Sequence, residues 1–307
     1  MTVAAKIHDH YQFWLTELDI SSYIRNVILY KYSLPFTAPC PSFVADNNTS
    51  SRNNYDFVVS AINELISKKC VIQVSEVPYC CNPLTVAKRK NKLRLVLDLR
   101  HVNKYIESFS IRYEDLKFVE KIFEPGYYFE TFDLTSGYHH IGINQEHWTY
   151  LGFSWTYSNG ITLYYVFVVL PFGLSSNCHI FTKILRPLVA KWRGKGIRCL
   201  VYLDDGIFGA INRSVTEQHS SIILSDLANA GFTVNRKKSV LKPTQQSVWL
   251  GFLIDTSSFK FYVPSEKMKH VTKLSTTHLS YCRQHHINGT RYRATDTFIH
   301  EIHVQFY

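Results

Sequence analysis

The stretch "LVYLDDGIFGA", residues 200–210, places two aspartates side by side between short apolar runs. Asp-Gly between apolar runs predicts a hairpin, because both residues tolerate the positive φ of a tight turn. This prediction accounts for Asp205 and Gly206, but it leaves Asp204 unexplained, since its charge adds repulsion at the same tip. Two carboxylates at a rigid hairpin tip indicate a cation site, and such a site calls for a further acidic ligand elsewhere in the chain.

The third acidic residue is Asp133, which ends the apolar strand of "YFETFDLTSGYHHI", residues 128–141. Taken alone, an aspartate at this position is most simply a helix N-cap or a turn residue. If the strands that end in Asp133 and Asp204 are neighbours, three carboxylates meet at one sheet edge. Hard divalent cations such as Mg²⁺ bind such oxygen ligands, and a pair of them can promote in-line phosphoryl transfer.

The composition of the 307-residue chain is that of a folded protein, with 46% hydrophobic and 15% aromatic residues. Its length suits one large domain or two modest ones. The formal net charge of +10 fits a polyanionic partner such as nucleic acid, and ordinary solubility charge accounts for it equally well.

The seven cysteines follow no regular spacing, which excludes a disulfide framework and indicates a reducing environment. The N-terminus "MTVAAKIHDHYQFW" lacks the basic and apolar regions of a signal peptide. The longest apolar run, "ITLYYVFVVL" at residues 161–170, is too short to span a bilayer. We therefore expect an intracellular protein, cytoplasmic or nuclear, that is neither secreted nor bound to a membrane.

Helical and strand patterns alternate along the chain. Apolar residues at helical spacing predict helices within residues 51–69, 113–123, 176–190 and 214–231. Apolar runs bounded by turn residues predict strands at residues 71–77, 83–88, 93–99, 127–134 and 162–170. They also predict a hairpin from 197–203 and 206–210, and a final hairpin from 247–255 and 259–263. Helices interleaved with antiparallel hairpins predict an α+β fold, with helices backing an antiparallel sheet.

Six segments resemble, in order and approximate spacing, the motifs of reverse transcriptases. The fingers segment is similar to "KLRLVLDLRHVNKYI" (92–106), and the palm motifs are similar to "FDLTSGY" (132–138), "LPFGLSS" (170–176) and "YLDD" (202–205). The later palm motif and the primer grip resemble "GFTVNRKKS" (231–239) and "WLGF" (249–252). The phrases "SGYHHI", "YLGFSW" and "LPFGLSS" look most like retrotransposon enzymes of the DIRS-like group, which carry a tyrosine recombinase.

The resemblance runs from about residue 50 to 265 and implies the right-hand polymerase architecture of fingers and palm, with a thumb that is truncated or incomplete. The implied divisions are an N-terminal extension at 1–50, fingers at 51–126, palm at 127–265, and a partial thumb or irregular tail at 266–307.

The resemblance also implies a catalytic centre that uses two Mg²⁺ ions, with Mn²⁺ as a possible substitute. Asp133 and Asp204 would be the principal metal ligands, with Asp205 beside them, and Leu134 would supply a backbone carbonyl. Lys238 matches the lysine that protonates the departing pyrophosphate, although exposed lysines at such positions are common.

The nucleotide-binding residues are implied in the same way. Arg94, with Lys88 or Lys90, would bind the incoming triphosphate. The alternative interpretation of "KRKNKLR" (88–94) is a solvated basic turn or a nuclear-import patch. Tyr138 stands at the steric-gate position, where a ring collides with a ribose 2′-hydroxyl. Its alternative is a half-buried strand tyrosine.

Phe172 and Gly173 would lie under the nucleotide and the template, because glycine permits close approach of the backbone. The sequence departs from the family pattern directly after this motif, where Asn177-Cys178 replaces the usual Ala-Pro or Ser-Pro. The missing proline is expected to loosen the start of the following helix.

The C-terminal tail holds Cys282, His285, His300 and His303 in a spacing that could suit zinc, but an irregular tail is the simpler interpretation. The sequence as a whole predicts an RNA-directed DNA polymerase of a retroelement, whose partners are a primed RNA or DNA template and deoxynucleoside triphosphates. The alternatives are an inactive relic that only binds nucleic acid, and an RNA-copying RNA polymerase, which Tyr138 disfavours.

Overall fold

The computed structural model describes residues 3–89 and 92–263 of the chain. Within them the α-helices are α1 (Lys6–Asp9), α2 (Tyr11–Thr16), α3 (Ser22–Tyr30), α4 (Thr49–Arg52), α5 (Tyr55–Ser67), α6 (Arg100–Asn103), α7 (Val119–Ile122), α8 (Asn177–Gly194) and α9 (Arg213–Asn229). The strands are β1 (Phe43–Val44), β2 (Val71–Val74), β3 (Cys80–Cys81), β4 (Leu84–Arg89), β5 (Lys92–Leu97), β6 (Tyr128–Asp133), β7 (Gly152–Thr156), β8 (Thr162–Phe167), β9 (Arg198–Tyr202), β10 (Asp205–Ala210), β11 (Val240–Thr244), β12 (Gln246–Trp249), β13 (Phe252–Asp255) and β14 (Lys260–Tyr262). Short 3₁₀ turns cover Leu116–Phe118, Gly137–His140 and Gln145–Leu151.

A four-stranded antiparallel sheet, in the order β11-β6-β10-β9, underlies the candidate site. The two central strands are mostly buried, because other elements cover them. Helix α8 packs on β9, and α9 packs on β6 and β10. The buried rings of Phe132 and Trp192 meet edge to face, with 6.2 Å between their centroids. This arrangement confirms the α+β fold, with helices behind an antiparallel sheet.

Helix α8 continues to Gly194, beyond the predicted end at Ala190. The extra turn is stabilised by Asp226 on α9, which faces it. Trp192 donates its indole N–H to Asp226 Oδ2 at 3.0 Å, and Lys191 Nζ lies 3.1 Å from Oδ1. The predicted helix end at Ala190 was wrong, because Lys191 and Trp192 reach Asp226 from the continued helix.

The predicted strand 247–255 is two strands, β12 and β13, joined by a tight turn. Leu250 and Gly251 have φ of 47° and 76°, and positive φ at both central residues is the mark of a type I′ hairpin turn. With β14 they form a three-stranded sheet. The apolar run concealed the turn, because leucine seldom adopts positive φ.

Other local predictions agree with the structure. Helix α5 fills most of the predicted range 51–69 and buries Val58 and Ile62, which lie one turn apart. The helix predicted within 113–123 is a 3₁₀ turn followed by α7. The predicted helix at 214–231 is α9, and Gly231 beyond its end has φ of +89°.

The sheets cross the proposed boundary between fingers and palm. A five-stranded sheet has the order β1-β3-β7-β8-β2, so β7 and β8 from the proposed palm range pair with strands of the proposed fingers range. Strands β4 and β5 form a separate two-stranded ribbon. The proposed boundary at residue 126 therefore does not coincide with a boundary between sheets, because one sheet contains strands from both sides of it. The proposed thumb or tail, 266–307, lies outside the described residues.

The N-terminal helices pack against the end of α9. Trp14 is buried and donates its indole N–H to the Ala230 carbonyl at 3.0 Å. A Cβ at Gly231 would lie 2.8 Å from the Lys6 carbonyl oxygen, so glycine permits this close approach. In the part of the chain that the structure covers, no helix combines the length and apolarity needed to cross a membrane.

Candidate active site

The hairpin that carries the aspartates turns two residues earlier than the Asp205-Gly206 pair indicates. Tyr202 pairs with Asp205 across β9 and β10, so the two-residue turn consists of Leu203 and Asp204. Leu203 adopts φ of 50°, a left-handed conformation that costs about 1–3 kcal/mol for such a residue and often occurs at functional sites. The predicted turn at Asp205-Gly206 was therefore wrong.

Gly206 lies inside β10 and is required for packing. A Cβ at this position would lie 2.2 Å from Cε1 and Cζ of Phe132. The ring of Phe132 on β6 thus fills the space that a side chain at residue 206 would need. The Asp-Gly pair predicts a turn, but its glycine is needed for the close packing of β10 against this ring.

The same strand pairing brings the three aspartates together. Asp205 at the start of β10 pairs directly with Asp133 at the end of β6. Directly opposed residues of an antiparallel pair project from the same face. The backbone N–H of Leu134 donates to the Asp204 carbonyl at 2.9 Å, so Leu134 also lies against the turn.

The three carboxylates share this edge without closing into a tight cage. In the described part of the chain, one oxygen cannot be chosen from each of the three carboxylates so that all three lie within 4.8 Å of one another. Like charges repel at short range, and a site for two ions about 3.5–4 Å apart needs more widely spaced ligands than a site for one.

The electrostatics of this edge disfavour negative charge. Burial raises the pKa of the Asp205 carboxyl to about 7, and the charges of Asp204 and Asp133 add to this effect. Burial also raises the pKa of Asp204, while Lys238 and Arg94 act in the opposite direction. A cation bound among these groups would relieve both the desolvation and the mutual repulsion.

One carboxylate oxygen of Asp133 has a partner, and the other has none. Lys238 Nζ lies 3.2 Å from Asp133 Oδ2, and the backbone N–H of Asp133 donates to Ser239 Oγ at 3.0 Å. Within the described chain, the buried Oδ1 has no hydrogen-bond partner. A buried carboxylate oxygen without a partner costs free energy. Binding to a hard cation would offset this cost, so Asp133 Oδ1 is suited to be a metal ligand.

A 3₁₀ turn, Gly137–His140, places Tyr138 beside the aspartate hairpin. A Cβ at Gly137 would lie 2.7 Å from Cζ of Phe181 and 3.3 Å from Cβ of Asp204. Only glycine fits this gap, and it lets the turn approach the hairpin.

The side chain of Tyr138 is fixed on several sides. Its hydroxyl lies 3.1 Å from Cys178 Sγ, and its ring meets Phe172 and Phe181 edge to face at centroid distances of 5.6 and 5.3 Å. Burial raises the pKa of this hydroxyl, as do the nearby Cys178 and Asp204. The tyrosine is therefore neutral and half-buried, with its ring held beside the aspartates.

The start of α8 is ordered without a proline. Asn177 is buried and its side-chain amide donates to the Pro171 carbonyl. Its backbone N–H donates to Leu174 at 3.2 Å. The expected loosening at Asn177-Cys178 is therefore not observed, because the asparagine ties the helix start to the preceding loop.

The basic residues of the β4–β5 ribbon do not all converge. Arg94 pairs with Ala87, and Lys88 pairs with Leu93. Because neighbouring residues of a strand project to opposite faces, Lys88 lies on the face opposite Arg94. Both side chains are exposed, and only Arg94 acts electrostatically on Asp204. Lys90 lies outside the described residues.

Gly173 makes the close backbone approach that was expected, but its neighbour belongs to the same chain. It has φ of +111°, and a Cβ there would lie 2.2 Å from the Leu97 carbonyl oxygen. Asn103 donates to the Gly173 carbonyl at 2.8 Å. Gly173 thus connects the loop that precedes α8 to the end of β5. The neighbouring Phe172 is exposed.

Sequence reasoning missed three residues of this site. Cys178 contacts the Tyr138 hydroxyl, Ser239 holds the Asp133 backbone, and Gly137 allows the approach to Asp204. The Ser-Gly pair at 136–137 gave a usable signal, because Ser136 has φ of 51° and the turn begins there. The roles of Cys178 and Ser239 depend on contacts between distant segments.

Comparison with known sequences points to one family. Residues 86–254 match the family described as "Reverse transcriptase (RNA-dependent DNA polymerase)". The chain is 30% identical over 214 residues to the Retrovirus-related Pol polyprotein from transposon gypsy of Drosophila melanogaster, covering 67% of this chain and 20% of that protein. It is 28% identical over 205 residues to the corresponding polyprotein from transposon opus, covering 65% and 19%. The chain thus spans about a fifth of the length of these relatives.

Solved structures with a similar fold include foamy viral enzymes. The protease-reverse transcriptase dRH in complex with double-stranded DNA superposes with a TM-score of 0.65 at 20% identity, covering 89% of this chain and 50% of that one. The protease-reverse transcriptase in complex with an RNA/DNA hybrid gives 0.62 at 19% identity, covering 89% and 38%. These similarities establish the fold.

Proposed function

Because this chain belongs to the reverse transcriptase family, we propose that it carries an RNA-directed DNA polymerase centre built on Asp133, Asp204 and Asp205. The observation that carries the proposal is the register of β6 and β10, which sets Asp205 directly opposite Asp133 beside the Asp204 turn. The reaction would be attack of a primer 3′-hydroxyl on the α-phosphate of a deoxynucleoside triphosphate.

The three carboxylates and the Leu134 carbonyl are proposed to hold Mg²⁺, with Mn²⁺ as a substitute. The donor set suits these ions, because all the ligands are oxygens. The Asp133 oxygen without a partner supports this assignment. When bound, the ions would supply Lewis-acid stabilisation for the charge on the attacking and leaving oxygens.

The chain's own residues would position the substrates. Arg94, exposed on the face of the ribbon that acts on Asp204, is proposed to bind the triphosphate. The Tyr138 ring would exclude a ribose 2′-hydroxyl by steric contact, and its fixed environment supports this role. Lys238 Nζ, beside Asp133, would give a proton to the pyrophosphate as it leaves.

The proposed partner is a primed nucleic-acid template. The net charge of +10 supports binding to phosphates. Foamy viral enzymes of similar fold have been solved with double-stranded DNA and with an RNA/DNA hybrid. An RNA template with a DNA primer is the substrate that the family description favours.

Two finer assignments are also proposals. The phrases "SGYHHI", "YLGFSW" and "LPFGLSS" support membership of the DIRS-like group, and a tyrosine-recombinase gene beside the coding sequence would test it. A cytoplasmic or nuclear location is supported by the unpaired cysteines among the described residues, most of them buried. Imaging of the tagged chain would test this location.

Primer extension on poly(rA)·oligo(dT) with purified chain, dTTP and either Mg²⁺ or Mn²⁺ tests the proposed activity. We expect stepwise addition of thymidine that chelation abolishes. Primer–template binding is measured on the same preparation, so that misfolded protein is recognised by weak binding. Salt-dependent binding without extension with either metal would contradict the enzyme and favour a relic that only binds nucleic acid.

A further inference from the structure

Two buried thiols and an imidazole meet at the edge of the five-stranded sheet. Cys40 lies in the loop between α3 and β1, Cys80 begins β3, and His101 lies in α6. One ligand atom from each side chain lies within 4.8 Å of the other two. Nothing in the proposed polymerase reaction uses these residues.

The distance between the two sulfurs fits a shared metal ion. Cys40 Sγ and Cys80 Sγ are 4.0 Å apart, far beyond the bond length of about 2.05 Å in a disulfide. Two thiolates bound to one tetrahedral zinc at about 2.3 Å each lie about 3.8 Å apart. The observed separation is thus close to the edge of a zinc tetrahedron.

A backbone oxygen occupies the position of a fourth ligand. The Pro41 carbonyl oxygen lies 3.6 Å from Cys40 Sγ, 3.6 Å from Cys80 Sγ and 3.1 Å from His101 Nε2. In a tetrahedral zinc site with an oxygen ligand, sulfur and oxygen are about 3.6 Å apart. Two thiols and one imidazole nitrogen thus converge on a single carbonyl oxygen, which offers two lone pairs.

The environment of the cluster also suits a bound ion. Both cysteines are buried, and two thiolates would balance the charge of a divalent cation, which burial of charge requires. The His101 ring stacks on Phe43 with 4.2 Å between centroids and an interplanar angle of 7°. This stacking fixes the orientation of the imidazole, as supporting contacts do for metal-binding histidines.

We propose that Cys40, Cys80 and His101 bind a structural Zn²⁺, with the Pro41 carbonyl oxygen as the fourth ligand. Thiolate and imidazole ligands select zinc over Mg²⁺ or Ca²⁺. Four protein ligands close the site, which is the mark of a structural rather than a catalytic zinc. The ion would join the loop before β1 to β3 and α6, and so fasten the N-terminal segment to the sheet.

The first test measures the zinc content of the full chain after purification under reducing conditions and dialysis against buffer that contains a trace of zinc. We expect about one tightly held zinc per chain in a closed site of this type. Cobalt should replace it and give the thiolate charge-transfer bands of a tetrahedral site. A chain without zinc, or one in which mass spectrometry finds a Cys40–Cys80 disulfide, would overturn the proposal.

Matched variants locate the ion. Cys80→Ser should lose the metal, while Cys81→Ser should keep it, because Cys81 is the adjacent, equally buried residue of β3 outside the cluster. His101→Gln changes a half-buried side chain and should weaken zinc retention at least tenfold while the circular dichroism spectrum is unchanged. Equal zinc loss in Cys80→Ser and Cys81→Ser would contradict the assignment.

The C-terminal tail requires a separate control, because Cys282 and nearby histidines could also bind zinc. Cys282→Ser should retain the full zinc content of the wild type. Loss of the ion in this variant would assign the metal to the tail and overturn the proposed site.

Discussion

Lys238 Nζ lies 3.2 Å from Asp133 Oδ2, on the carboxylate whose other oxygen has no hydrogen-bond partner among the described residues. Without bound ions, the lysine provides positive charge at an edge that is crowded with carboxylates. The same position suits a group that delivers a proton to a leaving phosphate. The ion pair and the proton transfer can be separated by substitution.

Replacing Lys238 distinguishes these roles. Lys238→Ala should reduce kcat by about a hundredfold, a common effect of losing a general acid. Lys238→Arg restores the ion pair with Asp133, but guanidinium does not give up its proton, so kcat should stay low. Single-turnover extension measures both variants. Full recovery of the rate in the arginine variant would show that Lys238 contributes charge alone.

Tyr138 should decide which sugar is accepted. Tyr138→Val removes the ring and should raise the acceptance of UTP relative to dTTP by at least about tenfold, because steric exclusion of the hydroxyl is lost. Tyr138→Phe keeps the ring and loses only the contact with Cys178, so it should discriminate as the wild type does. The measurement is the ratio of kcat/KM for the two nucleotides. Equal use of both by the wild type would refute the gate.

Gly206 should tolerate no side chain. Gly206→Ala would push Cβ into the Phe132 ring, 2.2 Å away, and should lower the free energy of unfolding by at least about 2 kcal/mol. Gly194→Ala is the matched control, because nothing lies within 4 Å of its added Cβ. Urea unfolding compares the two variants. Similar stability in both would mean that β10 and β6 are less closely packed than described.

His140 should make the folded protein sensitive to acid. Burial lowers its pKa from 6.5 to about 4, and the ring is engaged on both sides: Nδ1 lies 3.1 Å from the Gly137 carbonyl, and Nε2 accepts from the Thr233 N–H at 3.1 Å. The unfolded state therefore binds a proton first, so stability is complete above the unfolded pKa and falls as pH decreases toward 4.

The His140 contribution between about pH 7.5 and about pH 5 is about 2 kcal/mol. His140→Gln should lose about that much less stability than the wild type over this interval, as measured by urea unfolding at both pH values. His139, whose burial also lowers its pKa to about 4, should keep part of the acid sensitivity in the variant. Identical pH dependence in the two proteins would exclude His140 as a source.

The position of each aspartate at the end of a strand could be predicted because it depends on short-range patterns. Asp133 and Asp204 each follow an apolar strand, and the pairing of β6 with β10 brings those strand ends together. The predicted turn was wrong by two residues, since an Asp-Gly pair cannot distinguish a glycine needed for its positive φ from a glycine needed for close packing. Gly206 is of the second kind.

Contacts between distant segments could not be predicted in this way. The approach of Cys178 to Tyr138 depends on how α8 packs against the Gly137–His140 turn. The separation of Lys88 from Arg94 follows from strand alternation, but only once the register of the ribbon is known. The meeting of Cys40 with Cys80 and His101 needs three segments to be placed at once.

The most direct test of the polymerase centre is primer extension by Asp204→Asn beside Asp19→Asn. Each change removes one carboxylate charge, but Asp19 is exposed and lies outside the residues that match the family. Asp204→Asn should bind primer–template as the wild type does and extend it about a thousandfold more slowly, the scale of losing a key electrostatic contact at a reacting centre. Asp19→Asn should extend normally. Extension by Asp204→Asn at the rate of Asp19→Asn would contradict the assignment of the site.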